Sequence, residues 1–366
     1  MPEKNQSVEN PDNTPEYGEE LLRKIAEHPC YDKKAQHKYG RIHLAVAPKC
    51  NIQCNFCVRE FDCVNESRPG VTSKVLSPQE ALEKTRQIVA DYPFIKVVGI
   101  AGPGDPLAND ATFETFELIK KEFPELTLCM STNGLLLPEK LQDILRVGVS
   151  TLTVTVNAVD PEIQAKIVDH IVYHGKVYRG VEAAEIQIKN QLDGIKAAID
   201  AGLVLKVNTV LVPGINDRHV IEIARKLNEL GVYIMNVMPL INQGAFADIE
   251  PPTAEERKAV QEACEPYVMQ MRHCRQCRAD AYGLLAQDMS QMSEERRKII
   301  KIHTKEEMEK AISDPDYEGP EGVTITREPN YIVEVFGASI TGTLITIEQE
   351  GSNGKETYVT FIADDD

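Results

Sequence analysis

The stretch "LTLCMSTNGLLLPEKLQDILRVGVSTLTVTVN" (126–157) decides the fold. Its first six residues alternate, with Leu126, Leu128 and Met130 on one face and Thr127, Cys129 and Ser131 on the other. That period of two marks a strand. "PEKLQDILRVG" then reads as a helix, with Pro in its first turn and Gly at its end. "STLTVTVN" returns to alternation, setting Leu152, Val154 and Val156 against Thr151, Thr153, Thr155 and Asn157. A strand, a helix and a second strand of this kind build a parallel sheet covered by helices.

Working outward, the pattern repeats. "RIHLAVA" (41–47), "IKVVGIA" (95–101), "LVLKVNTVLV" (203–212) and "VYIMNVM" (232–238) read as further strands. Between them lie "SPQEALEKTRQIVADY", "DATFETFELIKKEF", "IQIKNQLDGIKAAIDAG" and "NDRHVIEIARKLNELG", which read as helices. Six such units predict an α/β fold, a full or partial (βα) TIM-like barrel with N- and C-terminal extensions. An open doubly wound sheet is the alternative. Barrel strands are covered outside by helices, so the apolar faces are expected to point outward. The small polar faces, with His43 on "RIHLAVA" and Cys129 on "LTLCMS", would then line the lumen, where an ordinary barrel packs bulky branched side chains. That predicts a ligand-filled hollow, although a one-residue slip of register would turn the faces round. Residues 1–20 are expected to form a disordered leader, 21–290 the barrel with its extensions, and 291–366 a C-terminal extension, a small β-rich module or an edge hairpin.

The chain has 366 residues, 42% hydrophobic and 27% charged, with a formal charge of −17. That balance argues against broad binding to nucleic acid or to an anionic membrane surface. The leader "MPEKNQSVENPDNTPEYGEE" lacks an apolar core segment, and no run approaches the roughly 20 apolar residues of a membrane span. A cytoplasmic protein is expected. In that compartment the nine cysteines are read as ligands or buried thiols rather than disulfides.

Three of the cysteines stand in "CNIQCNFC" (50–57), directly after the first strand. On a barrel that is the C-terminal mouth, where active sites sit. A loop this compact can wrap Cys50, Cys54 and Cys57 around one face of a 4Fe–4S cube. A cube fully held by protein needs four cysteines, so three leave one iron open for a substrate. Zinc is the alternative, though its closed sites usually show paired Cys-x2-Cys or Cys/His spacing.

Cys-x3-Cys-x2-Cys with Phe56 before the last cysteine resembles the radical S-adenosylmethionine (SAM) enzymes. The resemblance implies a 4Fe–4S cluster whose open iron chelates the methionine amine and carboxylate of SAM. It also implies cofactor-binding roles for Gly102, Gly104 and Asp105 in "AGPGDP" (101–106), Ser131 and Asn133 in "STNG", Thr155 and Asn157 in "TVNA", and Met238 in "VMPLI". "AGPGDP" departs from the family's Gly-Gly-Glu form, which leaves the acidic role open. A narrower resemblance, carried by "HPCYDKKAQHKYGRIHLAVAPKCNIQCNFCVREFDCVNESRPGV" and "MRHCRQCRADAYGLL", is to the maturases that build the nitrogenase cofactor. It implies fusion of two further 4Fe–4S precursor clusters, with insertion of a SAM-derived carbide and a sulfide, into an eight-iron core.

Two precursor sites need further donors. Cys30, His43 and Cys129 are expected around one, and Cys63, Cys274 and Cys277 around the other. Cys264 shares a helix face with Val260, Tyr267, Val268 and Met271, a spacing typical of core packing. Glu66 and Arg68 beside Cys63 are candidate catalytic residues, the first for a proton or the cofactor amine, the second for anionic charge. Arg275 and Arg278 would supply positive charge around the Cys274/Cys277 thiols. Expected partners are SAM, iron–sulfur cluster donors and a downstream nitrogenase cofactor scaffold or carrier protein. Two rival readings share the first motif: a radical enzyme that modifies peptides or small molecules, and a non-enzymatic iron–sulfur carrier.

Overall fold

The computed structural model describes residues 17–58, 72, 74–285, 323–335, 338–351 and 354–363. Cys63, Glu66 and Arg68 lie outside those residues. In chain order the first strands are β1 (Gly40–His43), β2 (Ile52–Cys54), β3 (Ile95–Ile100), β4 (Thr127–Thr132) and β5 (Val149–Thr155). Next come β6 (Val168–Tyr173), β7 (Lys176–Arg179), β8 (Val204–Leu211), β9 (Ile234–Pro239), β10 (Met269–Gln270) and β11 (Tyr282–Gly283). The helices are α1 (Glu19–Ala26), α2 (Pro78–Asp91), α3 (Asp110–Glu122), α4 (Leu137–Val147), α5 (Pro161–Ile167), α6 (Gly180–Asp200), α7 (Val220–Leu230) and α8 (Ala254–Cys264). All six strands expected before residue 245 are present, the first cut short at His43.

One eight-stranded sheet runs β10-β9-β8-β5-β4-β3-β1-β11. β1, β3, β4, β5, β8 and β9 pair in parallel and in chain order, without the reversal of a doubly wound sheet. The winding is that of a barrel. Among the described residues no ladder joins β10 to β11, so the barrel is partial.

The expected faces hold. Ile42, Leu44, Val46, Leu128, Met130, Leu152 and Val154 form the main core with Phe116 and Ile119 of α3, Leu141 and Ile144 of α4 and Ile195 of α6. At the N-terminal ends of the strands a second cluster joins Ile25, Tyr31, Val204, Ile234 and Leu285. The Tyr31 hydroxyl donates to Leu152 O at 3.2 Å, so the segment after α1 caps the barrel floor. α1 itself begins at Glu19, within the stretch expected to be leader.

The β6–β7 hairpin is among the elements that escaped the sequence reading. β6 and β7 form a two-residue hairpin around His174 and Gly175, both at positive φ (48° and 76°). β6 also pairs antiparallel with β2 inside the cysteine loop. The β-prone run "IVY" (171–173) directly before "HG" was the available signal. Beyond residue 322 the chain forms a separate antiparallel meander of β12 (Val323–Val335), β13 (Ala338–Gly351) and β14 (Gly354–Ala363). That is one strand more than the two β-like runs predict: they fall on β12 and β13, and β14 was not among them.

Candidate active site

A cavity of about 310 Å³ occupies the lumen. Eight candidate donors line it together: Cys30, His43, Cys50, Cys54, Cys57, Cys129, Cys274 and Cys277. Among the described residues no three His, Cys, Asp or Glu side chains converge as a single-ion site requires.

At the mouth the triplet loop is held from three directions. The β2–β6 ladder pairs Ile52 with Ile171 and Gln53 with His170, and Asn55 N–H donates to Ile167 O at 2.9 Å. Gln53 Nε2 spans the turn, donating to Cys54 O and Cys57 O at 3.0 and 3.1 Å. Phe56 rests against Phe246, ring centroids 6.4 Å apart. Gly244 packs so close beneath that a Cβ there would lie 2.8 Å from Asn55 O.

The "AGPGDP" loop forms the adjoining wall. Gly104 N–H donates to Ala47 O at 2.6 Å, and Asp105 N–H to Lys49 O at 2.8 Å. The Asp105 carboxylate accepts from the Thr132 hydroxyl, Asn133 N–H and Leu107 N–H and so orders the "STNG" turn, while Asp105 itself also lines the cavity. Burial pushes its pKa up to about 6 against the pull of those donors. Asn133 Nδ2 donates to Asn51 Oδ1 at 2.7 Å and lies 3.9 Å from Cys50 Sγ, linking this turn to the cysteine loop. The Asn157 side chain is likewise used structurally, accepting from Val210 N–H at 2.9 Å. Gly104, Ser131, Asn133, Thr155 and Met238 line the cavity near the strand C-termini.

Deeper in, register sets His43 opposite Gly99 and Gly99 opposite Cys129. Two donors therefore stand two strand spacings apart, roughly 9–10 Å, with a glycine between them. A Cβ at Gly99 would crowd His43 Cδ2 at 3.1 Å. His43 Nδ1 lies 2.9 Å from Arg278 O. A carbonyl can only accept, so Nδ1 carries the hydrogen and Nε2 is the lone-pair nitrogen, the orientation a metal-ligating imidazole needs.

The sequence reading groups Cys30 with His43 and Cys129; in the fold Cys30 also lies beside Cys274 and Cys277. All three pack against the Tyr31–Met271–Leu285 cluster, and both Cys277 and Cys129 act on the Cys30 thiol. The extended segment of residues 271–278 runs along the floor beside the α1–β1 loop, a neighbourhood no local spacing reveals. Burial pushes the Cys30 thiol up to about 12 and also raises Cys129; Lys206 opposes both shifts. The cation on the clip differs from expectation too. Arg278 is buried against Asp280 at 2.8 and 3.1 Å, so its charge is answered locally. Arg41 Nη2 instead donates to Cys277 Sγ at 3.0 Å, while Arg275 lines the cavity.

His28, Arg41, Lys206 and Asn236 are among the cavity-lining groups to which the sequence reading gave no role. Lys206 gave a signal, a lysine inside the apolar strand "VLKVNTVL". Cys264 lies outside the cavity, fully buried in the main core with its thiol 3.8 Å from Val220 O. Cys264→Ala is therefore expected to cost about 1 kcal/mol of stability and to leave the iron content of the purified protein unchanged. Loss of iron would move Cys264 into a donor set.

A partial barrel whose first strand feeds a three-thiol loop, facing a donor-lined lumen, defines the radical SAM class. Residues 44–227 match the family model described as Radical SAM superfamily. Relatives named FeMo cofactor biosynthesis protein NifB share much of the chain. The Herbaspirillum seropedicae protein is 48% identical over 278 residues, 74% of this chain and 53% of that one. The Bradyrhizobium diazoefficiens protein is 45% identical over 300 residues, 80% of this chain and 60% of that one. The Methanocaldococcus jannaschii protein is 48% identical over 286 residues, 77% of this chain and 91% of that one. The chain belongs to the radical SAM superfamily and, within it, to the NifB family. It spans just over half the length of the first two relatives and nearly all of the third. Among the described residues no helix is long and apolar enough to cross a membrane.

Proposed function

We propose that the chain is a cofactor maturase that joins two 4Fe–4S precursor clusters, with a SAM-derived carbide and a sulfide, into the eight-iron core of the nitrogenase cofactor. One observation carries the reading: five further donors line the same cavity as the Cys50/Cys54/Cys57 loop. The three thiols of that loop suit a resident 4Fe–4S cluster with one open iron, which supplies reductive cleavage of SAM when bound. Gly104 gives SAM a close-lying backbone wall, and Gly102, which does not itself line the cavity, shapes the loop that carries it. Ser131, Asn133, Thr155 and Met238 line the part of the cavity where it would lie, and Phe56 backs the loop. Asp105 and Asn157 act one step behind, by fixing the turns that present those groups.

The precursor clusters are substrates, and the floor supplies two sets of ligands. Cys30, Cys274 and Cys277 form one. His43 and Cys129 begin the other, for which Cys63 is the remaining thiol. A neutral imidazole is a weaker ligand than thiolate, which suits a cluster that must be released. Glu66 and Arg68, near Cys63 in sequence, are proposed to handle a proton and anionic charge. Cluster donors would deliver the precursors, and a scaffold or carrier protein would take the product.

Anaerobic iron and sulfide quantitation with a SAM-cleavage assay tests the reading. About twelve irons per chain are expected from three cubes. A loaded protein with about four irons would remain a radical SAM enzyme but could not be this maturase.

A further inference from the structure

Lys206 lies on β8, on the lumen side with Asn208, and is 7% exposed. Its Nζ sits 5.5 Å from the centroid of the Tyr31 ring. Among the described residues no carboxylate comes within ion-pair distance of it. Burying an ammonium is costly, and an aromatic face offsets only part of that cost. The position makes sense if an anion completes it.

A second polar group nearby lacks its partner as well. His28 Nδ1 accepts the Cys30 N–H at 3.1 Å, so the ring hydrogen sits on Nε2. That Nε2 is buried, has no hydrogen-bond partner and belongs to a residue lining the same cavity. Lys206 is also within electrostatic reach of a thiol in each proposed set of ligands. Its charge acts on Cys30 of one set and on Cys129 of the other. Thr153, its neighbour in register on β5, also lines the cavity.

We infer that Lys206 and His28 form an anion-binding floor where the two substrate clusters meet, with Nζ–H and Nε2–H donating to cluster sulfides. The assignment rests on the proposed function. It makes Lys206 a positioning residue shared by both precursor sites: it balances charge that the thiols and sulfides bring into a buried space, and holds the two cubes against each other. A thiol set alone would bind each cluster separately.

The test loads wild-type, Lys206→Met and Lys206→Arg proteins anaerobically with iron and sulfide, then measures iron per chain and the electron paramagnetic resonance of the reduced clusters. Lys206→Met is expected to keep the resident cluster, about four irons, and to weaken loading of the others about tenfold or more, the loss of a charged hydrogen bond. Its remaining precursor signals should be altered. Lys206→Arg should restore most of the loading. Equal loading and unchanged signals in Lys206→Met, beside a wild type with about twelve irons, would overturn the Lys206 assignment alone. Loss of all iron in both variants would mark a packing residue and overturn it too. A wild type with only about four irons would remove the maturase reading and this inference with it.

Discussion

Cys50→Ala is expected to abolish SAM cleavage and to lower the iron content of the loaded protein from about twelve to about eight. Cys50, Cys54 and Cys57 come from one loop, and a cube held at three corners has no spare protein ligand. Removing one leaves two thiolates, too few to retain the cluster against chelation by solvent thiols. Cys50 is also the corner nearest Asn133, which links the loop to the "STNG" turn. The five floor donors sit on β1, β4, the α1–β1 loop and the 271–278 segment, so their sites should still load. Simultaneous loss of every cluster signal would mean that the three sites are not independent. Cleavage surviving at wild-type rates would remove the triplet from the chemistry.

Gly104→Ala should be the most damaging Gly→Ala substitution among the described residues. A Cβ at this position would fall 2.2 Å from Lys49 O, 2.5 Å from Lys49 C and 2.8 Å from Pro48 O. These are backbone atoms immediately before Cys50, and they cannot swing aside as the end of a side chain can. They are further tied down by the Gly104–Ala47 and Asp105–Lys49 hydrogen bonds and by Asn109, which donates to Lys49 O and accepts from Lys49 N–H. Overpacking of this kind costs about 3 kcal/mol or more, a fall in Tm of about 6–12 °C for a domain this size. SAM cleavage should fall further than stability does, because the displaced segment leads straight into the thiol loop. Gly18→Ala is the contrast: nothing lies within 4 Å of the added carbon, and a change within about 0.5 kcal/mol is expected. A melting curve for Gly104→Ala that overlays the wild type would disprove the close approach.

The sequence made the barrel legible because each strand declares its own faces. Thr153, Thr155 and Asn157 turn inward opposite Leu152, Val154 and Val156 whatever the neighbouring strands do. The triplet was legible for the same reason, since eight consecutive residues contain it. What stayed hidden depends on segments far apart in the chain. Nothing near Cys30 announces Cys274 and Cys277, 244 and 247 positions further on. Arg278 looks like a cation for the thiols until Asp280 folds onto it, and Arg41, 236 residues before Cys277, takes its place. The acidic role of Asp105 stayed open in the sequence because the Thr132 and Asn133 donors that occupy its carboxylate lie a strand away. Cys264 was readable as a core residue because helical periodicity is local.

The ladder between β2 and β6 has a thermodynamic consequence for how the thiol loop acquires its metal. Fixing a residue's backbone costs about 1–2 kcal/mol of conformational entropy. Here much of that cost is met by strand pairing, the Gln53 bridge and the Gly104 and Gly244 contacts. Iron need not organise the loop as it binds, unlike a small zinc module that folds only around its ion. Its affinity can go into holding the cube, and a cluster lost to oxygen can be rebuilt on a template that is already shaped.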